Sequence, residues 1–102
     1  MNFSLIVCTY MRPKVLLTLL NSVKKQSLYP NEILIIDGST DTQTQDMLTN
    51  EPFDNLEYYL VDERHRGLTK QRNFGIAKVT SDSEVIAFVD DDTKLSKNYF
   101  CW

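Results

Sequence analysis

The sequence predicts an α/β fold in which a mostly parallel sheet is flanked by helices. Three observations support this: four short apolar runs recur along the chain, helix-like segments separate them, and polar residues follow each run. Strands that alternate with helices favour parallel pairing and right-handed crossovers. The chain has 102 residues without a linker or internal repeat, so we interpret residues 1–102 as a single domain.

The apolar runs predict the strands of this sheet. All are rich in Ile, Val, Leu, Phe or Tyr, and two are nearly continuous, which is typical of strands buried on both faces. The runs cover residues 3–8, 32–36, 56–61 and 84–89. We expect the strand order 3-2-1-4, with strands one and four as neighbours and helices on both faces.

Capping residues and apolar periodicity predict the helices. The first begins at Pro13, since proline is favoured at the first helical position, and its apolar stripe is Leu16, Leu19, Leu20 and Val23. Capping-box spacing of Thr40 and Gln43 predicts the second helix, with Met47 and Leu48 as its buried contacts.

The third predicted helix covers residues 69–78 and places Asn73, Ile76 and Ala77 on one face. A fourth helix would begin near Ser96, close to the end of the sequence. We therefore interpret the chain as a truncated version of a larger domain.

Composition and charge narrow the classes of function. Hydrophobic residues make up 42% of the chain and the net charge is −3, whereas sequence-independent nucleic-acid binders carry a basic surplus. Two cysteines, Cys8 and Cys101, are too few for a disulfide framework and indicate free thiols in a reducing compartment. No signal peptide or run of about 18 apolar residues is visible, so the sequence predicts a cytoplasmic protein without a nucleic-acid partner.

Polar residues follow each predicted strand. In open α/β sheets, ligands bind outside the carboxyl ends of the strands, so these residues are the candidates for a site. In strand order they are Thr9, Tyr10 and Arg12; Asp37, Gly38 and Ser39; Asp62, Glu63, Arg64, His65 and Arg66; and Asp90, Asp91 and Asp92.

The run Asp90-Asp91-Asp92 is the most informative of these segments. Adjacent carboxylates repel one another, and a hard divalent cation such as Mg²⁺ or Mn²⁺ would offset their charge. Because Mg²⁺ fills its remaining positions with water and phosphate oxygens, the run points to a phosphate-bearing substrate. The alternative is a solvated acidic turn that caps the next helix.

Two other segments carry weaker signals. Residues 37–41 combine Asp37, which could accept hydrogen bonds from a base or a ribose, with a glycine that allows a sharp turn; an ordinary capped turn is the alternative. Lys70, Arg72 and Asn73 lie near a helix start, where anions are favoured, or form a solvated face. We interpret His65 as a loop residue without a special role, and Tyr58 and Tyr59 as packing residues.

Together these segments resemble the N-terminal half of family 2 glycosyltransferases, whose Rossmann-like, nucleotide-diphospho-sugar transferase fold is called GT-A. The family's T-Y-N-R-P is similar to residues 9–13, and its V-V-D-D-G-S-T-D to residues 35–41. Its N-R-G-L-x-x-A-R-N-x-G-I is similar to residues 65–76, and its F-L-D-D-D, the metal-binding DxD region, to residues 88–92. The match runs from about residue 4 to residue 100. Met11 replaces the usual Asn, and Ile36 replaces the first Asp of D-D-G-S.

The resemblance implies metal-dependent, inverting transfer of a sugar from a nucleoside diphosphate, most often UDP, to an acceptor hydroxyl. It implies that Mg²⁺ or Mn²⁺ is held by Asp92 and Asp90. The implied nucleotide-binding residues, including Asp37 as the reader of the base, are Thr9, Tyr10, Arg12, Asp37, Arg72, Asp90 and Asp91.

The resemblance also sets expectations for the parts of the protein that lie outside this site. The catalytic base is expected beyond Trp102, so we expect the chain alone to have little or no transferase activity. The acceptor, a saccharide, a lipid or another molecule, stays open. Apolar surface near Tyr99, Phe100 and Trp102 predicts self-association, and the full-length protein is expected to be cytoplasmic or peripheral to the inner face of a membrane.

Three other functions compete with this interpretation. A non-catalytic nucleotide-binding fragment differs only in lacking turnover. A receiver-type signalling domain has its acidic pair after the first strand, where this chain has Thr9 and Tyr10. A sugar-phosphate nucleotidylyltransferase needs a glycine-rich loop there, and residues 9–13 contain no glycine.

Overall fold

The computed structural model describes residues 3–26, 28–80 and 84–91 of the chain. These residues form a parallel sheet in the order β3-β2-β1-β4, which confirms the predicted strand order and fold class. The elements are β1 (Phe3–Thr9), α1 (Pro13–Lys24), β2 (Glu32–Asp37), α2 (Gln43–Asn50), β3 (Leu56–Leu60), a 3₁₀ turn (Glu63–His65), α3 (Leu68–Lys78) and β4 (Val85–Asp90).

The two central strands, β1 and β2, determine where the polar strand ends meet. Every residue of β2 is buried, as are six of the seven residues of β1. The register pairs Thr9 with Asp37 across β1 and β2, and Cys8 with Asp90 across β1 and β4. The carboxyl ends of these three strands therefore form one edge of the sheet, as the sequence predicted.

Each face of the sheet carries its own apolar cluster. On one face the strands pack with α1 and α2, through Phe3, Leu5, Val7, Leu16, Leu19, Leu20, Val23, Ile33, Ile35, Leu48 and Val89. On the α3 face the buried set is smaller and comprises Ile6, Leu34, Ile36 and Val61. In the part of the chain that the structure describes, no helix has both the length and the apolar character needed to cross a bilayer.

Helix α3 packs on the sheet through small and polar residues, and the face that the sequence grouped together lies towards solvent. Asn73, Ile76 and Ala77 are exposed, whereas Gln71 and Gly75 are buried. A Cβ added to Gly75 would lie 2.9 Å from Cγ2 of Ile6, so the absence of a side chain lets the helix approach the sheet. The apolar periodicity used for the prediction could not detect a buried face made of glycine and glutamine.

The start of α2 also differs from the prediction. The helix begins at Gln43 with Thr42 in the N-cap position, so Thr40 and Gln43 do not form a capping box. The backbone N–H of Gln43 instead donates to Oδ1 of Asp41 at 3.2 Å. Leu48 is buried, and Met47 packs against the same cluster, as expected.

The turn between β1 and α1 depends on a left-handed residue, Met11, at φ 57°. This region costs about 1–2 kcal/mol for most side chains, and asparagine tolerates it better. The turn is held by the Met11 N–H, which donates to Oγ of Ser39 at 2.8 Å. Asn55, at φ 63°, shows the residue type that such a position favours.

A side-chain hydrogen bond joins the carboxyl end of β2 to the middle of β3. The Tyr58 hydroxyl donates to Oδ2 of Asp37 at 2.5 Å, so Tyr58 is more than the packing residue that the sequence suggested. Burial and the hydrogen bond to Asp37 raise the pKa of Tyr58 well above its ordinary value. The bond stabilises Asp37, whose side chain has no contact with solvent.

We predict that Met11→Asn raises the free energy of unfolding by about 0.5–1 kcal/mol, the share of the left-handed cost that asparagine relieves. Chemical denaturation of both proteins measures the difference. Val15→Asn is the matched control, because Val15 is an exposed residue of α1 and gains nothing from asparagine's tolerance of positive φ. A loss of stability in Met11→Asn would contradict the prediction.

We also predict that Tyr58→Phe lowers the free energy of unfolding by about 1 kcal/mol at pH 7, because Asp37 loses a donor. A raised folded-state pKa gives stability that is complete below the unfolded pKa, about 10 for tyrosine, and is lost at higher pH. The difference between wild type and variant should therefore stay constant up to about pH 9 and shrink above pH 10.

The control for this measurement is Tyr59→Phe, whose hydroxyl bonds Glu57 at an exposed position. Its effect at pH 7 should be smaller. Equal losses in both variants would show that the Tyr58–Asp37 bond has no special role.

Candidate functional site

A cavity of about 290 Å³ opens at the carboxyl edge of the sheet, beside the ends of β1 and β4. Its walls come from the β1–α1 turn, the loop before α3 and the residue after β4. The lining residues are Cys8, Thr9, Tyr10, Arg12, Arg66, Gly67, Leu68, Gln71 and Asp91. This is the position at which open α/β sheets bind ligands.

Asp91 is the anchor on the β4 side of the cavity. Its Oδ2 accepts a hydrogen bond from the Thr9 hydroxyl at 3.0 Å, and its Oδ1 lies 3.4 Å from Nη1 of Arg12. The Asp91 side chain is 12% exposed, whereas that of Arg12 is 53% exposed. The carboxylate is therefore fixed in place, while the guanidinium remains accessible to an anion.

The floor of the cavity is held by Gln71, which is nearly buried. Its Nε2 donates to the carbonyl of Ile36 at 2.8 Å and to that of Thr9 at 3.2 Å. Its Oε1 accepts from the N–H of Gly67 at 3.0 Å. One side chain thus connects the ends of β1 and β2 with the loop before α3.

Asp37 lies next to the cavity but is not one of its lining residues. Its Oδ1 accepts from the backbone N–H of Ser39 at 2.9 Å and from the Ser39 hydroxyl at 2.5 Å, and its Oδ2 accepts from Tyr58. The oxygen of the Ser39 hydroxyl in turn accepts a hydrogen bond from the backbone N–H of Met11. In this structure Asp37 holds the β2–α2 turn against the β1–α1 turn.

Two glycines are required by the geometry around the cavity. Gly67 has a φ of 115°, which residues with a side chain rarely adopt, and it precedes the first turn of α3. A Cβ on Gly38 would lie 2.8 Å from Oε1 of Gln71. The Gly38 carbonyl accepts from Nε of Arg66 at 2.6 Å, which ties the wall formed by Arg66 to the end of β2.

The structure brings together some of the predicted nucleotide-binding residues and separates others. Thr9, Tyr10, Arg12 and Asp91 all line the cavity. Arg72 lies over the ring of Phe88, 5.5 Å from its centroid, and is not among the lining residues.

The predicted metal ligands, Asp90 and Asp92, cannot be compared with the geometry. Asp90 ends β4, but its side chain and the whole of Asp92 lie outside the described residues. Within residues 3–26, 28–80 and 84–91, no group of three or more His, Cys, Asp and Glu side chains could hold a metal ion. The DxD metal site therefore stays a prediction.

A second cavity, of about 410 Å³, lies beside α3 and is lined by Arg64, His65, Lys70, Asn73, Phe74 and Ala77. The sequence grouped Lys70 and Asn73 with Arg72 at an anion site, but both belong to this separate surface. Nδ1 of His65 lies 3.1 Å from Oδ1 of Asp62, and this hydrogen bond lowers the pKa of the Asp62 carboxyl. His65 thus organises the loop after β3, together with an edge contact to Phe74.

Sequence reasoning placed Arg66 among the candidate residues that follow the strands and Tyr58 among the packing residues, but it missed the contacts through which these two residues and Gln71 shape the site. Each acts through a partner far away in sequence, such as the Gly38 carbonyl for Arg66. A polar residue at a helix position that should face the sheet was the one available signal, and it applied to Gln71.

Comparison with known proteins agrees with this geometry. The model of the family described as "Glycosyl transferase family 2" matches residues 4–101. The O-antigen chain rhamnosyltransferase RfbN of Salmonella typhimurium is 27% identical over 96 residues, which cover 94% of this chain and 30% of that protein.

Two solved structures show the same fold. S. aureus TarS 1–349 in complex with UDP superposes with a TM-score of 0.80 and 32% identity, over 98% of this chain and 30% of that one. The mannosyltransferase PcManGT from Pyrobaculum calidifontis, in complex with GDP-Man and Mn²⁺, has a TM-score of 0.70 and 26% identity, over 89% and 27% of the two chains.

The chain spans 30% or less of the length of each of these proteins. The family match, by contrast, extends over nearly every residue of the chain, and it covers β1 from its second residue, the three other strands and the residues that line the cavity. The chain belongs to glycosyl transferase family 2.

Proposed function

We propose that the chain binds the donor in a glycosyltransferase that transfers a sugar from a nucleoside diphosphate to an acceptor hydroxyl. The observation that carries this proposal is the cavity at the carboxyl edge of the sheet, where the Thr9 hydroxyl and the Arg12 guanidinium both contact Asp91. The cavity thus combines hydrogen-bonding groups with an accessible positive charge, which a nucleoside diphosphate requires.

Charge supports the proposal. Arg12 and Arg66 both line the cavity. Arg12 belongs to the β1–α1 turn and Arg66 to the loop before α3, and Gln71 bonds residues of both walls. A guanidinium presents several donors in a fixed plane and suits phosphate oxygens. We assign Arg12 to the diphosphate, and Thr9 and Tyr10 to the nucleoside.

Relatives with bound ligands support the class of donor. TarS has been solved with UDP and with UDP-GlcNAc, and PcManGT with GDP-Man and Mn²⁺. These ligands share a nucleoside diphosphate and differ in base and sugar. We propose UDP as the nucleotide here, with Asp37 reading the base, as the family resemblance implies. Because Asp37 is buried, the neighbouring turn would have to open before its carboxylate could contact the base directly.

A divalent cation fits the chemistry of the residues at the end of β4. Asp90 and Asp92 would supply carboxylate oxygens, the donors that Mg²⁺ and Mn²⁺ prefer. When bound, the ion would neutralise negative charge on the diphosphate. Asp91, between them in sequence, already binds Thr9 and Arg12, so its role is to hold the cavity wall.

In the proposed transfer, the acceptor oxygen bonds to the anomeric carbon as the bond to the diphosphate breaks, with inversion. A base takes the acceptor proton, and we assign no residue of this chain to that role. The donor cavity gives Arg12 a position beside the leaving diphosphate, where it offsets the developing charge.

A non-catalytic nucleotide-binding protein is the second candidate, since the described site contains donor-binding groups alone. The non-catalytic protein would bind the nucleotide with the same affinity as the glycosyltransferase but would not transfer the sugar. Self-association through Tyr99, Phe100 and Trp102, and a cytoplasmic location, stay predictions, and those three residues lie outside the described part of the chain.

We predict that UDP binds this chain weakly without metal and more tightly with Mn²⁺ or Mg²⁺, because the acidic run repels a diphosphate until a cation bridges them. Calorimetry with and without metal measures this gain in UDP affinity for wild type and for Asp92→Ala, and we expect the variant to lose the gain. Asp54→Ala is the control, since Asp54 lies before β3, at the opposite edge of the sheet. Equal affinity in all conditions would rule out the metal role.

We also predict that Thr9→Val raises the Kd for UDP by about three- to tenfold, the range expected for losing the hydrogen bond that orients Asp91. The melting temperature should also fall by about 4–8 °C, because Asp91 loses a buried donor that valine cannot replace. Thr18→Val, which removes an exposed hydroxyl on α1, serves as the control. An unchanged Kd for Thr9→Val would remove Thr9 and Asp91 from the proposed site.

A further inference from the structure

We propose that Gln71 is the positioning residue of the donor cavity: its side-chain amide fixes the distance between the β1 end and the loop before α3, and so determines donor affinity. The inference rests on the proposed function, because it assigns the cavity to a nucleoside diphosphate. Gln71 stands where the family motif quoted above has alanine, so this device belongs to the present chain and is not read from the motif.

The hydrogen bonds of Gln71 leave its amide no freedom to turn. A primary amide has two N–H donors, and Nε2 uses them on the carbonyls of Ile36 and Thr9 at 2.8 and 3.2 Å. Oε1 accepts from the N–H of Gly67 at 3.0 Å. If the nitrogen and the oxygen exchanged places, the oxygen would face the two carbonyls and the NH₂ group would face the Gly67 N–H, so that no hydrogen bond could form. The orientation of the amide is therefore fixed.

These partners lie on both walls of the cavity. On one wall, the Thr9 hydroxyl donates a hydrogen bond to Asp91. Gly67 lines the other wall, directly before α3. The Gln71 N–H also donates to the Gly67 carbonyl at 2.8 Å, so side chain and backbone hold the same residue. Without the side chain, the Gly67 N–H would lose its acceptor, and the contact of Arg66 with the Gly38 carbonyl would be the side-chain bond left to tie this wall to the strand ends.

Burial makes the loss of this amide consequential. Gln71 is 4% exposed, so the carbonyls of Ile36 and Thr9 have little access to water that could replace Nε2. The Thr9 carbonyl keeps the hydrogen bond from the N–H of Gly38 at 3.0 Å, whereas among the residues that the structure describes the Gly67 N–H donates to Oε1 of Gln71 alone. We therefore expect the Gly67 wall to move most, and the β1 wall least.

The test compares Gln71→Ala, Gln71→Glu and the control Gln26→Ala. Gln26 is also a buried glutamine that donates to a backbone carbonyl, but it follows α1, away from the cavity. Calorimetry with UDP in the presence of Mn²⁺ should show Kd raised about tenfold by Gln71→Ala, the fold-change that one or two lost hydrogen bonds produce. Gln26→Ala should lower the melting temperature without changing Kd.

Gln71→Glu separates a positioning role from a packing role. Glutamate has the shape of glutamine, but its ionised carboxylate faces two carbonyls without a donor, so Kd relative to wild type should rise more than in Gln71→Ala. Protonation of the glutamate restores one donor. The Kd of Gln71→Glu divided by the Kd of wild type should therefore fall as the pH is lowered from 8 to about 5. A ratio that does not change with pH would mean that the side chain acts only by filling space.

Amide hydrogen exchange provides a readout that does not depend on the ligand. Gly67 should lose protection in Gln71→Ala and keep it in Gln26→Ala. If wild type binds neither UDP nor GDP, the proposed function fails and the cavity assignment with it. If wild type binds UDP and Gln71→Ala binds equally well, the proposed function stands and the positioning role of Gln71 is overturned.

Discussion

Burial of β1 on both faces is the constraint on which the rest of this structure depends. A strand whose two faces are both covered cannot slip by one residue against its neighbours, because every side chain would change face. The register with β2 and β4 is therefore fixed by the apolar core, through residues such as Ile6 and Val7. The same register brings Thr9, Asp37 and the end of β4 to one edge, so the location of the site follows from the packing of the core.

At that edge the negative charges are held by local partners. Asp37 accepts from Ser39 and Tyr58 and is fully buried, whereas Asp91 accepts from Thr9 and lies beside Arg12. The two carboxylates thus differ in what a ligand can do to them. An anion that approaches Arg12 competes with Asp91 for the guanidinium, whereas Asp37 is shielded behind the turn that it stabilises.

The sequence was sufficient for elements whose signal is apolar and local. The strands and α1 were correctly located because their buried residues are aliphatic and regularly spaced, as Leu16, Leu19 and Leu20 illustrate. The packing face of α3 was not predicted, because Gly75 and Gln71 contribute by close approach and by hydrogen bonds, which hydrophobic periodicity does not detect. In the site, Thr9, Tyr10, Arg12, Arg66 and Asp91 could be predicted because each lies at or shortly after the end of a strand. The roles of Gln71 and Tyr58 could not, because these residues lie within a helix and a strand and act through partners from other parts of the chain.

The close approach of Gly38 and Gln71 restricts the order in which substitutions can accumulate at these two positions. Any side chain at position 38 would collide with an amide oxygen that is pinned by its own hydrogen bond. A smaller residue at position 71 would have to come first, and Cγ of Arg66, 3.1 Å from the same Cβ position, would also have to move before position 38 could accept alanine. In related sequences we therefore expect glycine at 38 wherever glutamine stands at 71, whereas the combination in the family motifs quoted above, glycine at 38 and alanine at 71, involves no such contact.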